Sequence, residues 1–309
     1  MWRVPAVALL SASTAAVLLR INSRLYDAPA LPPSQCITPG SGPQIGKDGL
    51  ITVIIPAYNE GAGIADTLAA LSAATEATGL VEVVIVDGGC SDDTMAQARA
   101  VPLRLAHGIR TLESRGGRGP ALHAGAQAAR GDLLLFLHAD TLLPQGYDAA
   151  LRDAFQDPAL LLSCFRFGVN RAVCAARGAA AAAAAPPPPR GLRLLEWAVD
   201  RRTRAKSFPY GDQALCTSRV NYFRLGGFPR VPMMEDFEFV RRAKAVAQGG
   251  GWGIRQLPLT ALCSPRRWEQ KGVLTVSLLN FSFVFRYVVL GWSPQQIYDR
   301  YYGTKEQQR

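Results

Sequence analysis

Short apolar runs recur along the first half of the chain and predict buried β-strands. These runs are Leu50–Ile55, Val81–Val86, Leu103–Ala106 and Leu133–Leu137. Segments of helical character separate them, at about residues 62–75, after Ser91 and at about residues 122–130. Strands that alternate with helices are typical of a doubly wound, mostly parallel α/β sheet.

The apolar run Leu133–Leu137 is followed directly by His138, Ala139 and Asp140. Ligands of open α/β sheets bind beyond the carboxyl ends of the parallel strands. Two side chains spaced two residues apart on an extended segment face the same side, so His138 and Asp140 can enter one pocket. Imidazole and carboxylate ligands suit Mg²⁺ or Mn²⁺, the usual partners of a diphosphate. The alternative interpretation is a polar turn that merely ends a buried strand.

The second apolar run ends in a similar polar turn, Asp87, Gly88 and Gly89. Two glycines after a strand let the backbone approach a ligand closely. Ser91 or Asp92 can cap the following helix, whose N–H groups then point back at the same site. The chain contains neither Gly-x-Gly-x-x-Gly nor Gly-x-x-x-x-Gly-Lys-Ser/Thr, so dinucleotide and P-loop chemistry are not predicted.

The ends of the chain have a different character from its middle. Residues 1–49 begin with an apolar stretch, Val4–Leu19, and continue into a Pro/Gly/Ser-rich linker, which predicts a targeting or anchor segment. Residues 271–309 are predicted to be helical, and their apolar part, Val273–Trp292, contains Asn280 and an arginine. Those polar residues favour a helix that lies in a membrane interface or packs on the domain over one that spans.

A low-complexity segment interrupts the predicted domain, which extends over residues 50–270. Residues 172–190 hold an alanine run and four consecutive prolines, and we expect an exposed insertion there.

Composition and charge narrow the class of partner. With 49% hydrophobic and 19% charged residues, the 309-residue chain is globular and can bury one large core. Its formal net charge of +10 favours an anionic partner such as a nucleotide, a phospholipid surface or nucleic acid. No zinc spacing, basic amphipathic helix or ribonucleoprotein motif is present, so nucleic acid is not the predicted partner. The six cysteines include no Cys-x-x-Cys pair and are expected to be reduced.

Six short motifs follow one another in an order that identifies a family. They are Val53–Glu60, Asp87–Gly89, Phe136–Thr141, Pro209–Gln213, Met234–Asp236 and Arg266–Trp268. The ordered set resembles the family 2 glycosyltransferases of GT-A fold, and within them the branch labelled rSAM/selenodomain-associated transferase 2. The resemblance extends from about Leu50 to Tyr301, outside the Ala/Pro insertion. It implies transfer of a sugar from a nucleotide-diphosphate sugar, normally UDP-linked, to an unassigned acceptor.

The resemblance also implies a set of donor-binding residues. It places Glu60 near the ribose, Asp87 against the base, and a divalent cation (Mg²⁺ or Mn²⁺) on Asp140 with His138 beside it. Arg118 is a candidate phosphate ligand, although a solvated arginine is the simpler interpretation. The residues implied for the nucleotide are Pro56, Ala57, Tyr58, Glu60, Asp87, Gly88, Gly89, Arg118 and Asp140.

For catalysis the resemblance implies that Asp236, with Glu235 beside it, is the general base of an inverting displacement. Gly211, Asp212 and Gln213 would contact the donor sugar or the acceptor. Arg267 would meet diphosphate charge, and Trp268 would form a sugar platform. Three departures from the family pattern leave metal dependence and acceptor contacts less determined. His138 replaces the first metal-motif aspartate, His123 replaces an asparagine, and Arg266–Trp268 lacks the leading glutamine.

Two other functions are compatible with such a sheet. A nucleotidyltransferase that makes sugar nucleotides is disfavoured, because the first strand lacks a glycine- and Arg/Lys-rich phosphate loop. A non-catalytic, membrane-associated relic is disfavoured because Asp87, Asp140 and Asp236 are all present. We therefore expect a glycosyltransferase with a lipid or membrane-proximal acceptor, either membrane-associated or targeted to an organelle.

Overall fold

A computed structural model describes residues 42–171 and 189–303 of the chain. The predicted apolar segment Val4–Leu19 and nearly all of the predicted Ala/Pro insertion therefore lie outside the described residues.

The described residues form an eight-stranded mixed sheet in which the first four strands of the order are parallel. The strands are β1 (Ile51–Ala57), β2 (Val81–Asp87), β3 (Ile109–Glu113), β4 (Leu133–Phe136), β5 (Thr141–Leu142), β6 (Leu160–Val169), β7 (Cys216–Ser218) and β8 (Gly253–Cys263). Their order across the sheet is β3-β2-β1-β4-β7-β6-β8-β5. Strand β7 is antiparallel to both β4 and β6, and β5 is antiparallel to β8.

Helices cover both faces of this sheet. They are α1 (Ile64–Ala74), α2 (Thr94–Ala100), α3 (Arg118–Ala128), α4 (Tyr147–Ala154), α5 (Leu192–Lys206), α6 (Arg219–Arg224), α7 (Glu235–Gln248), α8 (Arg266–Lys271), α9 (Val273–Val288) and α10 (Pro294–Tyr302). The alternation of side chains along β1 explains the two layers. Val53 and Ile55 pack on the side that holds α1, whereas Ile54 packs on the side that holds α3. The predicted α/β fold with a mostly parallel sheet is confirmed.

Strands β3 and β8 show why parts of the sheet differ from the sequence prediction. The third strand is not at Leu103–Ala106, which is a loop, but at Ile109–Glu113. The prediction was wrong because Leu105 is buried without joining the sheet, whereas β3 is only partly buried and carries polar residues. The long strand β8 was not predicted, because its buried and exposed positions leave no continuous apolar run.

The C-terminal helices pack against the domain beside the sheet. Helix α9 confirms most of the predicted helix Val273–Trp292 and buries Val276, Phe283 and Val284. Its opposite face leaves Leu274 and Leu278 73% and 60% exposed. Within the described ranges, none of the helices combines the length and the hydropathy that crossing a bilayer requires.

Candidate active site

The parallel strands β1, β2 and β4 end at one edge of the sheet, and the predicted polar turns follow them there. A cavity of about 670 Å³ lies at this edge, between the sheet and the C-terminal helices. It brings together the predicted site residues Glu60, Arg118, His138, Asp140, Asp212, Asp236, Arg267 and Trp268. The other predicted site residues, Pro56, Ala57, Tyr58, Asp87, Gly88, Gly89, Gly211, Gln213 and Glu235, do not line it.

The turn after β2 is shaped by the Asp87 carboxylate. Asp87 Oδ1 accepts hydrogen bonds from the backbone N–H groups of Gly89 (2.8 Å) and Cys90 (2.7 Å). Burial alone would raise the pKa of Asp87, but these bonds outweigh it and hold the pKa below its ordinary value. A Cβ atom on Gly88 would lie 3.1 Å from the carbonyl oxygen of Ala57, so the turn has little room for a side chain there. The turn therefore presents an ionised carboxylate beside a closely approaching backbone.

An arginine that the sequence analysis gave no role joins two of the predicted donor ligands. Arg266 Nη2 lies 2.6 Å from Glu60 Oε2 and 3.3 Å from Asp140 Oδ2. Burial raises the pKa of Glu60, and Arg266 opposes that shift. The motif Arg266–Trp268 contained the signal for this residue, but nothing local predicts a partner 206 positions away.

Asp236 begins α7 and is held by two backbone N–H groups. Gly211 donates to Asp236 Oδ2 and Phe237 donates to Oδ1, both at 2.8 Å. Burial would raise the pKa of Asp236, yet Arg118 and the Gly211 hydrogen bond lower it overall. A Cβ atom on Gly211 would come within 3.0 Å of both Asp236 Oδ2 and His138 Nε2. Glycine at this position therefore allows the turn, the Asp236 carboxylate and the imidazole to meet.

His138 is a neutral imidazole in this surrounding. Burial, followed by the nearby positive charge of Arg118, lowers its pKa to about 4. At neutral pH it can therefore accept or donate a hydrogen bond without adding charge beside Asp236.

Arg118 is engaged by the carboxylates at the start of α7. Its Nε donates to Glu235 Oε1, and its Nη2 lies 3.8 Å from Asp236 Oδ1. Glu235 is fully buried, and its second oxygen has no hydrogen-bond partner among the described residues. Burial raises the pKa of Glu235 to about 7, although Arg118 opposes the shift. That Arg118 binds a donor phosphate stays a prediction; in the free protein it organises the acidic turn.

Glycines on either side of Arg118 fix its position. Gly117 has φ +99°, and a Cβ atom there would lie 2.5 Å from Pro232 Cα. A Cβ atom on Gly119 would lie 2.4 Å from the carbonyl oxygens of both Pro229 and Val231. The turn before α3 therefore packs closely against the segment before α7, and this contact positions Arg118 beside Glu235 and Asp236.

The side chains of Gln213 and Trp268 both contact other residues of the protein interior. Gln213 is fully buried, and its amide donates to the carbonyl oxygen of Phe165 (3.0 Å) and accepts from Thr203 Oγ1 (3.1 Å). The structure therefore places Gln213 behind the cavity, where it supports the Gly211 turn. Trp268 packs edge-on against Phe167, with ring centroids 5.8 Å apart, and it contributes one wall of the cavity.

Comparison with known proteins identifies a family that the sequence resembles. Residues 52–200 match the family model described as glycosyl transferase family 2. The chain is 34% identical over 98 residues to glucosyl-3-phosphoglycerate synthase of Mycobacterium tuberculosis, a match that covers 30% of each chain. It is 34% identical over 127 residues to undecaprenyl-phosphate 4-deoxy-4-formamido-L-arabinose transferase of Pseudomonas paraeruginosa, covering 36% of this chain and 38% of that one. The matches thus span about a third of the length of these curated relatives.

A solved structure shows a similar fold. Mannosyltransferase PcManGT of Pyrobaculum calidifontis, in complex with GDP-Man and Mn²⁺, superimposes with a TM-score of 0.50 at 22% identity. The similarity covers 82% of this chain and 67% of that one.

Proposed function

The chain belongs to glycosyl transferase family 2 and has the GT-A fold, and from this premise we propose that it transfers a sugar from a nucleotide-diphosphate sugar, with inversion. One observation carries the proposal. The ionised Asp236 and the Asp140 carboxylate line one cavity, at the sheet edge where the Asp87–Gly89 turn can receive a nucleotide.

The reaction assigns separate tasks to these residues. An acceptor hydroxyl oxygen forms a bond to the anomeric carbon while the bond from that carbon to the diphosphate breaks. The electron pair of the broken bond leaves with the diphosphate, and Asp236 takes the proton of the hydroxyl. The Gly211 and Phe237 N–H groups keep the Asp236 carboxylate ionised and oriented for this transfer. Neutral His138 adjoins the carboxylate without adding a charge beside it.

The donor set partly fits a divalent cation. Arg266 already holds a positive charge between Glu60 and Asp140, so this position favours a cation. Within the described ranges, no group of three His, Cys, Asp or Glu side chains could hold a metal ion. Mg²⁺ commonly binds through one or two carboxylates together with substrate phosphates. Asp140 would be the protein ligand, and the cation would supply charge neutralisation on the departing diphosphate.

This donor set predicts that metal binding depends on the nucleotide. We expect Mn²⁺ alone to bind weakly, and UDP to tighten its binding by about 10-fold or more, because the diphosphate supplies the missing ligands. Calorimetric titration of Mn²⁺ with and without UDP measures the effect. Equal Mn²⁺ affinity in both titrations would contradict it.

A second prediction concerns the nucleotide base. Asp87→Asn keeps an Oδ1 acceptor for Gly89 and Cys90 but replaces the other oxygen with an amide group. We expect UDP binding to weaken by about 1–3 kcal/mol, the cost of leaving a base donor unpaired. Calorimetry with UDP tests this, with exposed Asp66→Asn as the control that leaves affinity unchanged. UDP affinity equal to wild type in Asp87→Asn would place the base elsewhere.

We further propose that the acceptor is reached at a membrane surface. The support is the apolar stretch Val4–Leu19, the net charge of +10 and the exposed Leu274 and Leu278 on α9. The full chain is expected to sediment with phosphatidylglycerol vesicles, and Leu278→Asp is expected to weaken this binding because it puts a charge on the contact face. Sedimentation by the variant equal to that of wild type would remove α9 from the contact.

A further inference from the structure

We propose that one end of the cavity, formed by Arg267 and Lys271 and called here the basic end, binds a phosphate monoester carried by the acceptor. The inference rests on the proposed function, because it names the acceptor class of the same site. The phosphate would contribute to binding of the acceptor and would not react. The reacting group would be a hydroxyl elsewhere on the acceptor, placed beside Asp236.

The hydrogen-bond and ring partners of the two cations at the basic end are uncharged groups. Arg267 Nη2 donates to the neutral amide oxygen of Asn280 at 2.8 Å. The guanidinium carbon of Arg267 and the Nζ of Lys271 lie 4.9 Å and 5.7 Å from the ring centroid of Tyr301. Burial raises the pKa of Asp212, which lines the cavity, to about 6 and outweighs the charge of Arg267, which lowers that pKa. Two like charges that share one aromatic ring repel each other, so an anion between them is favoured.

An unpaired donor at the same place supports this. The Nε–H of Arg267 is buried and has no acceptor among the described residues. A buried donor without a partner is unfavourable, whereas a phosphate presents several acceptor oxygens to a guanidinium. Arg267 and Lys271, at the same end of the cavity, therefore have the charge and the donors to bind a dianionic phosphate.

The position of the basic end distinguishes an acceptor phosphate from the donor diphosphate. Arg266 turns toward Glu60 and Asp140, the side where β1 and β4 end and the nucleotide turn lies. Arg267, its immediate neighbour, turns the other way, toward Asn280 on α9 and Tyr301 on α10. The donor diphosphate belongs with Arg266 and Asp140, so the phosphate that the basic end would hold is a second one.

The wall next to the basic end is apolar. Phe283 and Val284 of α9 line the cavity, and the outer face of the same helix exposes Leu274 and Leu278. A hydrocarbon attached to the phosphate would lie along Phe283 and Val284 inside the cavity, so a lipid phosphate fits both chemistries. A soluble phosphate ester would use the basic end alone, and the two sources are separable by experiment.

The test measures binding of small phosphate monoesters to the full chain by calorimetry. The probes are octyl phosphate, glycerol phosphate, the uncharged octanol, and UDP as the donor-site probe. The variants are Arg267→Gln, Lys271→Gln and the charge-preserving Lys271→Arg. Arg300→Gln is the matched control, because Arg300 is an exposed arginine of α10 that does not line the cavity.

We expect octyl phosphate to bind the wild type, and its dissociation constant to rise about 10-fold or more in Arg267→Gln and Lys271→Gln. Lys271→Arg and Arg300→Gln should bind as wild type, and UDP affinity should be unchanged in all four variants. Octyl phosphate that binds more tightly than glycerol phosphate supports a lipid source, and equal binding supports a soluble phosphate acceptor.

Three results would overturn the inference. One is unchanged octyl phosphate binding in both charge-removing variants, and another is octanol binding as tightly as octyl phosphate. A parallel loss of UDP affinity in Arg267→Gln and Lys271→Gln would instead assign the basic end to the donor diphosphate. Failure of the wild type to bind UDP or a nucleotide sugar would refute the proposed function and is visible in the same titrations.

Discussion

Asp236→Asn is expected to lower turnover by about 10²–10⁴-fold, the usual share of general-base catalysis, with little change in the dissociation constant of the donor. Asparagine preserves the shape of the side chain and can still accept the Gly211 N–H hydrogen bond at 2.8 Å. It cannot take a proton from an acceptor hydroxyl. The measurement compares single-turnover sugar transfer with donor binding in the wild type and the variant.

Two companion variants make this result specific. Glu238 lies in the first turn of α7, pairs with Arg241 and does not line the cavity. The turnover of Glu238→Gln should therefore match that of the wild type. Asp140→Asn should weaken donor binding and metal response together. Equal turnover by Asp236→Asn and the wild type would place the base elsewhere, with Glu235 the first residue to examine. Loss of donor affinity in Asp236→Asn would make it a binding residue.

Arg118→Gln is expected to destabilise the protein by about 3 kcal/mol at about pH 8, because it leaves the buried Glu235 carboxylate without its cation. The effect should shrink toward about pH 5. The pKa of Glu235 is about 7 in the folded protein, above its ordinary value of 4.5. The unfolded chain therefore loses this proton at lower pH than the folded chain, so stability decreases as pH rises through that window. Without Arg118 the folded pKa rises further and the decrease is larger.

Urea denaturation at the two pH values measures this change, and a double variant isolates its cause. Arg118→Gln combined with Glu235→Gln should recover most of the lost stability, because Glu235 then buries no charge and Asp236 keeps its two backbone hydrogen bonds. Arg115→Gln, an exposed arginine of the same turn, should change stability by less than about 0.5 kcal/mol. A destabilisation that is equal at both pH values, or that persists in the double variant, would show that Arg118 does not act by neutralising Glu235.

Sequence patterns predicted the central strands and the residues that follow them for a physical reason. Strands β1, β2 and β4 are buried on both faces, so each is a continuous apolar run whose end is visible in the sequence. Strand β8 alternates irregularly between buried and exposed positions, and such a strand has no comparable signature. The polar ends of the buried strands were therefore recognisable, whereas β8 was not.

The pairing of charges inside the cavity was beyond the sequence. Arg118 meets Glu235 across 117 residues and Arg266 meets Glu60 across 206. Residue types at separate positions do not state which cation will neutralise which acid, because that depends on how the segments pack. The same limit applies to Gln213. A glutamine amide can bind a ligand or a core residue, and here it forms its hydrogen bonds inside the core.

The close contact of the Gly117–Gly119 turn with Pro229–Pro232 has a consequence for the construction of chimeras. No side-chain atom fits between these two segments, since a Cβ atom on Gly119 would meet two carbonyl oxygens at 2.4 Å. A graft that replaces the Pro229–Pro232 segment alone would need to reproduce its backbone path to within about a few tenths of an ångström. The two segments therefore form a single exchangeable unit, so the segment that leads into Asp236 has to be exchanged together with the glycine turn.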